Sequence, residues 1–333
     1  MALLEVENLS VTLNTAAGAG RAVRDLSLIV EKGATLGIVG ESGCGKSMTA
    51  LAIMGLLPDN ATTNGRIVFD GTDLLALPEE RMCEIRGNRI AMVFQEPMTS
   101  LNPVHPIGRQ VSETLRLHRR LSRGAAKSEA IELLDRVGIP QPAQRLEHYP
   151  HQLSGGQRQR VMIAMALSCG PDLLIADEPT TALDVTIQKQ ILDLLRGLID
   201  DLGMGLVLIS HDLGVVAESV DQIIVMYGGA AVETGTTETI FQELAHPYTQ
   251  GLFGAVPRLG QRNREGKSVR LASIPGTVPE LKDLPDGCTF ADRCQFVSNT
   301  CREAPPPLVD VVSGHKAACI HIDQAREQRR AMR

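Results

Sequence analysis

The eight residues Gly40–Ser47, which read GESGCGKS, say most about how this chain folds. They match the pattern G-x-x-x-x-G-K-[ST] at every fixed position. The apolar segment ATLGIVG predicts a buried strand directly before them, and a helix is predicted from Lys46 to about Leu57. A strand, a glycine-rich loop and a helix in this order are the context of a phosphate-binding loop, or P-loop. We therefore predict that the chain folds around a site for nucleotide phosphates.

The residue types of the P-loop follow from what phosphate binding requires. Backbone N–H groups must point inward around the anion, in torsions that glycine adopts and a side chain obstructs. Lys46 is expected to reach the outer phosphates, and the Ser47 hydroxyl is expected to ligate Mg²⁺. The helix that begins here also turns its positive end toward the anion. The residues of this segment that are predicted to bind nucleotide are Gly40, Ser42, Gly43, Cys44, Gly45, Lys46, Ser47 and Met48.

A second apolar segment, LLIADEP at Leu173–Pro179, ends in two carboxylates. Its four apolar residues place Asp177 at the end of a buried strand, where a carboxylate can hold Mg²⁺. Glu178 follows at once, and a carboxylate beside the metal suits the polarisation of an attacking water. The simpler interpretation makes this pair an N-cap of the next helix. Together with the P-loop, the pair favours hydrolysis over transfer to a substrate hydroxyl.

Composition and charge exclude several classes of protein. The chain has 333 residues and a formal net charge of −6, whereas a nucleic-acid binder normally carries a basic excess. No apolar run approaches the ~20 residues that cross a bilayer. The start, MALLEVENLS, lacks the basic and apolar regions of a signal peptide. We expect a cytosolic chain that reaches a membrane only through a partner.

Strand-like and helix-like segments alternate over the first two-thirds of the chain, which predicts an α/β fold with a mostly parallel sheet covered by helices. Helical spacing from Leu101 to Tyr149 predicts a separate helical lobe. After about Gly251 the sequence becomes charged and rich in turns. We predict a nucleotide-binding domain at 1–250, with a helical subdomain at about 96–160, and a small cysteine-containing extension at 251–333.

The segment LSGGQRQRV, at Leu153–Val161, resembles the LSGGQ signature of the ATP-binding subunits of ABC transporters. Its residue types alone indicate a second anion site, because a serine hydroxyl and two unhindered glycine amides begin a helix. The resemblance implies a P-loop ABC ATPase core that binds ATP and Mg²⁺. It also implies that two subunits pack head to tail, with each ATP held between the P-loop of one chain and the signature of the other. The signature residues are Ser154, Gly155, Gly156 and Gln157.

The same resemblance assigns roles to further residues. Gln95, in VFQEP, matches the Q-loop, whose amide contacts ATP and Mg²⁺ and senses the transmembrane partner. Asp184, in TALD, matches the D-loop at the dimer interface. His211, in LVLISHD, matches the switch histidine that contacts the γ-phosphate. The predicted Mg²⁺ ligands are Ser47, Gln95 and Asp177, and the predicted catalytic residues are Glu178 and His211.

One position departs from the family pattern. The family usually stacks an aromatic side chain on adenine, supplied by the segment before the P-loop. Here that segment, VTLNTAAGAGRAVRDL, contains no aromatic residue. Leu13 or Val23 can offer an apolar surface in its place.

Four of the seven cysteines lie in the extension, with the spacing C-x5-C-x6-C-x17-C. Disulfides are not expected in a reducing compartment. Four thiolates suit a metal or a cluster that staples a segment too small to bury its own core, and both zinc and a 4Fe–4S cluster accept four thiolates. Structural zinc sites usually contain closer cysteine pairs, and buried free thiols are the third alternative. The cysteines are Cys288, Cys294, Cys301 and Cys319, and His315 is a candidate fifth ligand for which a capping role is the simpler interpretation.

The C-terminal third resembles one branch of the family. HPYTQGL, IPGTVP, GCTFADRC and HKAAC are similar to segments of the ATPases of oligopeptide and dipeptide importers, some of which carry a 4Fe–4S cluster at these cysteines. The resemblance implies an ATP-hydrolysing subunit that powers peptide import at the cytoplasmic face of the inner membrane. Its expected partners are two transmembrane permease subunits, a second ATPase subunit of the same or another kind and, indirectly, a substrate-binding protein.

Three other functions stay open at this point. A nickel or glutathione importer uses a similar ATPase, because permeases and external binding proteins select the cargo. A soluble ABC ATPase that acts on DNA or ribosomes is opposed by the acidic charge and the importer-like extension. A regulatory module that holds ATP without turnover would not need Glu178.

Overall fold

The structure of the chain, a computed structural model, describes residues 2–15, 18–96, 100–181, 183–255 and 273–332. Parts of three predicted segments lie outside these residues, namely 97–99 of the Q-loop segment, 182 of the D-loop segment and the charged stretch within 256–272. Among the helices that are described, none is long and apolar enough to cross a membrane.

The described strands form two sheets. They are β1 (Ala2–Thr15), β2 (Gly18–Glu31), β3 (Thr35–Val39), β4 (Ala61–Phe69), β5 (Thr72–Asp73), β6 (Ile90–Val93), β7 (Leu173–Asp177), β8 (Gly205–Ser210), β9 (Gln222–Tyr227), β10 (Ala230–Thr236), β11 (Val309–Val312) and β12 (His315–Ala317). The smaller sheet is antiparallel, with the order β2-β1-β4-β5. The predicted Asp-Gly turn joins β4 to β5, and both Asp70 and Gly71 have positive φ angles.

The larger sheet is the central layer, with the order β11-β12-β10-β9-β3-β8-β7-β6. β3, β6, β7, β8 and β9 run parallel. β10, β12 and β11 continue the sheet in antiparallel pairs. β7 and β8 are buried along their whole length, because a central parallel strand is covered on both faces. The α/β fold predicted from strand–helix alternation is confirmed.

Helices cover this sheet. They are α1 (Lys46–Met54), α2 (Glu79–Ile85), α3 (Ile107–His118), α4 (Arg123–Arg136), α5 (Pro142–Arg145), α6 (Gly155–Leu167), α7 (Val185–Leu202), α8 (Leu213–Ala217), α9 (Thr237–Glu243), α10 (Pro247–Ala255), α11 (Thr300–Glu303) and α12 (Ile322–Met332). α3, α4 and α6 pack against one another. The segment after Leu101, in which helical spacing was found, therefore forms a layer of helices. α1 ends earlier than predicted, because Gly55 takes the left-handed conformation that stops a helix.

The carboxyl ends of four parallel strands meet at one edge of the large sheet. Gly40 follows β3 and His211 follows β8, while Asp177 is the last residue of β7. Gln95 lies just beyond the end of β6. Parallel strands present their carboxyl ends at the same edge, and this edge is where open α/β sheets bind ligands. The sheet order therefore brings together side chains that are far apart along the chain.

The extension joins the core sheet. β12 pairs with β10 in antiparallel register, Glu233 opposite Ala317, and β11 pairs with β12. The boundary predicted near Gly251 falls inside α10, and the division into two domains stays a prediction. Cys288 and Cys294 flank the 3-10 turn Ala291–Arg293, Cys301 lies in α11, and Cys319 follows β12.

Candidate functional site

The P-loop adopts the backbone conformation that its glycines allow. Gly45 has a φ of +100° and immediately precedes α1. A Cβ atom at Gly45 would lie 2.3 Å from the carbonyl oxygen of Ala22, so a side chain does not fit there. Gly40 is as crowded, because its Cβ would lie 2.3 Å from the carbonyl oxygen of Met226. The loop is therefore a tight backbone cradle built against β2 and β9.

Lys46 lies inside this cradle and is 4% exposed. Its Nζ donates to the carbonyl oxygens of Gly40, at 2.8 Å, and Glu41, at 3.0 Å. A buried ammonium group that is held by neutral carbonyls keeps a full charge available for an anion. The sulfur of Cys44 also lies in the buried side of the loop, and burial raises the pKa of its thiol. Cys44 is thus a packing residue of the loop, while Ser42 is exposed and Met48 packs against the core.

Asp177 carries a buried oxygen without a hydrogen-bond partner. The residue is 4% exposed, and its Oδ1 atom has no hydrogen-bond partner among the residues that the structure describes. Burial raises the pKa of the Asp177 carboxyl, and a hydrogen bond from the Ser47 side chain opposes that rise. A buried carboxylate oxygen without a donor is costly unless a cation occupies the position beside it. Asp177 and Ser47 together therefore fit a Mg²⁺ ion, which takes one or two protein carboxylates and completes its shell with water and phosphate oxygens.

Glu178 is the point where three other side chains converge. Its Oε2 atom accepts from Gln95 Nε2 at 3.0 Å and from the Thr181 hydroxyl at 2.8 Å. His211 Nδ1 lies 3.2 Å from the same oxygen. The backbone of Glu178 is also unusual, since its φ is +46°, and its side chain is only 11% exposed. A carboxylate with fixed donors and restricted access to solvent can orient one water molecule.

Sequence reasoning anticipated Gln95, Glu178 and His211 but missed Thr181. The available signal was its position three residues after Glu178 in DEPTT, where a hydroxyl can reach back to the carboxylate. Thr181 and Glu178 form one short turn, in which Thr181 N also donates to the carbonyl oxygen of Glu178. A strained φ of a non-glycine residue beside a buried carboxylate is typical of functional sites.

A cavity of about 510 Å³ opens beside these groups. Ser47, Gln95 and Asp177 line it together with apolar side chains that include Met92 and Phe94. The structure therefore brings all three predicted Mg²⁺ ligands to one cavity. Within the described residues, the lining includes none of the signature residues.

The signature forms the start of α6. Ser154 is its N-cap, and it exchanges hydrogen bonds with Gln157 in a capping box. A Cβ atom at Gly156 would lie 2.8 Å from Ile187, so glycine allows α6 to approach the start of α7 closely. Asp184 is the N-cap of α7 and accepts from Ile187 N at 3.0 Å. The signature and the D-loop thus form one joint surface of the chain.

The two residues proposed to replace the adenine-stacking aromatic, Leu13 and Val23, differ in how accessible they are to a ligand. Val23 is completely buried in the core, so it offers no surface to a ligand and this part of the expectation is wrong. Leu13 is half-buried and lines a cavity of about 200 Å³. Leu281 of the extension lines the same cavity and packs on Gly20, which pairs with Leu13 across β1 and β2.

The four cysteines of the extension are free thiols that lie near one another. Burial raises the pKa of the Cys288 thiol to about 11 and of the Cys319 thiol to about 12, with contributions from the other cysteines. Backbone N–H groups donate to the sulfurs of Cys294, Cys301 and Cys319 at 3.3–3.5 Å. Such donors are common around thiolates that bind metal. However, no three His, Cys, Asp or Glu side chains of the described segments are placed to hold a metal ion together.

His315 takes the structural role that was the simpler interpretation. It is fully buried, and its Nε2 lies 2.8 Å from Oε1 of the equally buried Glu233. The same carboxylate accepts from the backbone N–H groups of Ala245 and His246. His315 therefore ties β12 to β10 and to the turn before α10.

Comparison with known proteins identifies the family of this chain. Residues 23–181 match the family described as "ABC transporter", and residues 232–301 match "Oligopeptide/dipeptide transporter, C-terminal region". The structure superposes on a dimeric ATP-binding cassette solved in a post-hydrolysis state with ADP and Pi, with a TM-score of 0.64 and 29% identity over 70% of this chain and 98% of that one. For the cbiO1 protein of Clostridium perfringens the TM-score is 0.61, at 28% identity over 73% and 92% of the chains.

Full-length relatives are more similar still. A Sinorhizobium fredii protein named "Probable peptide ABC transporter ATP-binding protein" is 51% identical over 95% of this chain and 94% of its own length. A Brucella abortus protein named for peptide import and ATP binding is 51% identical over 96% of both chains. Because this identity spans nearly the whole sequence and includes the site just described, the chain belongs to the ABC transporter family, as one of its ATP-binding, ATP-hydrolysing proteins.

Proposed function

We propose that this chain is the ATPase subunit that powers the import of peptides through partner permeases. The observation that carries the ATPase part is the Glu178 carboxylate, which accepts hydrogen bonds from Gln95 and Thr181, lies 3.2 Å from His211 Nδ1 and follows Asp177 with its unpartnered oxygen. The peptide part is supported by the match of residues 232–301 to the C-terminal region of oligopeptide/dipeptide transporters and by the names of the relatives. The predicted site residues all fall in the described part of the chain.

Each group has a separate task in the proposed reaction. The P-loop amides and Lys46 bind the phosphates, and Lys46 exchanges its two backbone acceptors for phosphate oxygens. Ser47, Gln95 and Asp177 would hold Mg²⁺, which neutralises charge on the phosphates when it is bound. Glu178 orients the water for in-line attack and receives its proton. His211 contacts the γ-phosphate and stabilises the charge that develops on it.

The second half of the site is proposed to come from another subunit. The signature residues Ser154–Gln157 begin a helix, and their amides can bind the anion of the neighbouring ATP. Val185, which follows the D-loop residue Asp184, is 82% exposed, so it is available for contact with a second subunit. We propose a dimer of ATPase subunits, of one kind or two, that works with two permeases and a substrate-binding protein at the cytoplasmic face of the inner membrane.

The ATPase proposal is tested by Glu178→Gln, which keeps the size of the side chain and removes its basicity. Phosphate release should fall by about a thousandfold, within the range for loss of a general base, while binding of ATP persists. Glu147→Gln is the matched control, because Glu147 is an exposed glutamate with a single lysine partner. Unchanged phosphate release in Glu178→Gln would show that the chain holds ATP without using this carboxylate.

Peptide import is tested through the partners. The complex is purified from membranes without crosslinking, and the co-purifying chains are identified. Two polytopic subunits and a peptide-binding protein are expected. Ribosomal or DNA-repair proteins in their place would contradict the proposal. A co-purifying binding protein for nickel or glutathione would show that the cargo is nickel or glutathione and not a peptide.

We also propose that the extension binds a 4Fe–4S cluster, with zinc as the alternative occupant. The support is chemical: four cysteines that lie near one another, and backbone N–H groups that donate to three of their sulfurs. Because the side chains are not arranged as a closed ligand set, binding requires their rearrangement. Anaerobic purification followed by a visible spectrum and iron analysis tests this. Colourless, iron-free protein excludes the cluster, and stoichiometric zinc identifies the alternative.

A further inference from the structure

Glu41, the second residue of the P-loop, is held through three groups, namely its carboxylate, its backbone N–H and its carbonyl oxygen. Its carboxylate accepts two hydrogen bonds from the Arg293 guanidinium, Nη1 to Oε2 at 2.5 Å and Nη2 to Oε1 at 3.1 Å. Its backbone N–H donates to the Tyr248 hydroxyl at 2.8 Å. Its carbonyl oxygen accepts from Lys46. Two of these contacts, from Tyr248 and Arg293, come from residues that follow β10 in the chain.

Arg293 is itself fixed in one orientation. Its side chain is 4% exposed, its Nε donates to the carbonyl oxygen of Pro275 at 2.8 Å, and its guanidinium lies 5.7 Å from the centre of the Tyr227 ring. A planar guanidinium that is held on all sides loses little entropy when it binds a carboxylate with both nitrogens. A buried charge of this kind also needs its partner, because an unpaired one is strongly destabilising.

The charge of Glu41 makes this pair relevant to ATP. A carboxylate in a loop that wraps a triphosphate has the same sign as the ligand, and like charges at a few ångströms repel. Arg293 neutralises the carboxylate and holds it in the bidentate pair. The same contact keeps the Glu41 carbonyl, and through it Lys46, in position.

Arg293 also connects the loop to the cysteine segment. It ends the 3-10 turn between Cys288 and Cys294, and Cys294 follows it directly. Backbone hydrogen bonds close this turn, from Ala291 N to the carbonyl oxygen of Cys288 and from Cys294 N to that of Ala291. The turn therefore fixes the backbone from which the Arg293 side chain reaches Glu41.

We propose that Arg293 is a positioning residue for the P-loop, and that through it the fold of the cysteine segment sets the affinity for ATP. The inference rests on the proposed function only in that the P-loop binds ATP. It assigns to the extension a part of the nucleotide site, which would make the extension more than an appendage of the cassette.

The test is equilibrium binding of a non-hydrolysable ATP analogue with Mg²⁺ to the purified full chain. Arg293→Gln should raise the Kd about tenfold, which corresponds to about 1.4 kcal/mol. In the double variant Glu41→Gln/Arg293→Gln the repelling charge is gone, so the Kd should return to within about threefold of the wild-type value. A merely structural role of Arg293 predicts no such recovery. Arg302→Gln is the matched control, because this arginine pairs with Asp292 in the same segment but is 51% exposed.

The outcomes separate the two proposals. Failure of the wild-type chain to bind the analogue would contradict the proposed function, whereas normal wild-type binding together with an unchanged Kd in folded Arg293→Gln would overturn only the role of Arg293. An equally raised Kd in the double variant would also overturn it. If Arg293→Gln does not fold, Arg293→Lys keeps the charge without the two-pronged contact. Because Arg293→Lys still neutralises the Glu41 carboxylate, its Kd should stay within about threefold of the wild-type value, and a Kd raised tenfold or more overturns the proposal.

Discussion

Acid should destabilise this protein through one buried histidine. His246 is 1% exposed, and burial lowers the pKa of its imidazole from 6.5 to about 4, although the nearby Glu233 carboxylate opposes the change. Its Nδ1 accepts from the backbone N–H of Tyr248 at 3.1 Å, so the neutral ring is the form that the fold requires. Protonation would place a positive charge beside Phe290 in a buried site.

The size of the effect follows from proton linkage. The pKa is lower in the folded chain, so the unfolded chain binds more protons below the unfolded pKa of 6.5. The contribution of neutral His246 to stability is therefore complete above that pH and declines as the pH falls toward the folded pKa of about 4. Between about pH 8 and about pH 5 the loss in the free energy of unfolding is about 2 kcal/mol.

The assay compares the wild-type chain with His246→Asn in urea titrations followed by far-UV circular dichroism. The asparagine oxygen can accept the Tyr248 N–H bond, but the side chain does not titrate. We expect the difference between the two free energies of unfolding to change by about 2 kcal/mol from about pH 8 to about pH 5. Parallel curves for the two proteins over this range would refute the reasoning, whatever the slope they share.

Two substitutions in the nucleotide site have equally definite outcomes. Thr181→Val removes the hydroxyl that donates to Glu178 at 2.8 Å, so kcat should fall about tenfold with little change in KM, because a hydrogen bond to a charged group contributes roughly 1.5–3 kcal/mol. Thr181→Ser should restore most of the rate, and equal loss in both variants would contradict a role for the hydroxyl. Gly45→Ala forces a Cβ to 2.3 Å from the carbonyl oxygen of Ala22 at a φ of +100°, and should lower thermal stability and abolish analogue binding. Gly124→Ala, where a Cβ meets open space in a helix, should leave both measurements unimpaired, and a Gly45→Ala variant with normal binding would show that the loop can move aside.

Much of the fold could be predicted because its signals are local. Apolar runs of strand length, the Asp70–Gly71 turn and the start of α1 depend on residues within a few positions of one another. The P-loop is local in the same sense, since strand, glycines and helix follow without interruption. The order of strands in the large sheet, and the addition of β12 to β10, could not be predicted in this way, because strand pairing depends on contacts between distant segments.

In the candidate site too, local features could be predicted from the sequence, and contacts between distant residues could not. The amino-acid pattern alone was enough to predict the phosphate cradle, the carboxylates at the end of β7 and the serine–glycine helix start, because each is a short segment whose residue types suit one chemistry. Folding of the whole chain was needed to join Gln95 and His211 at Glu178, and to place Arg293 on Glu41 across 252 positions. Such pairs leave no trace in the spacing of residues, since the sheet order and the path of the extension, and not the neighbours in sequence, determine which side chains meet.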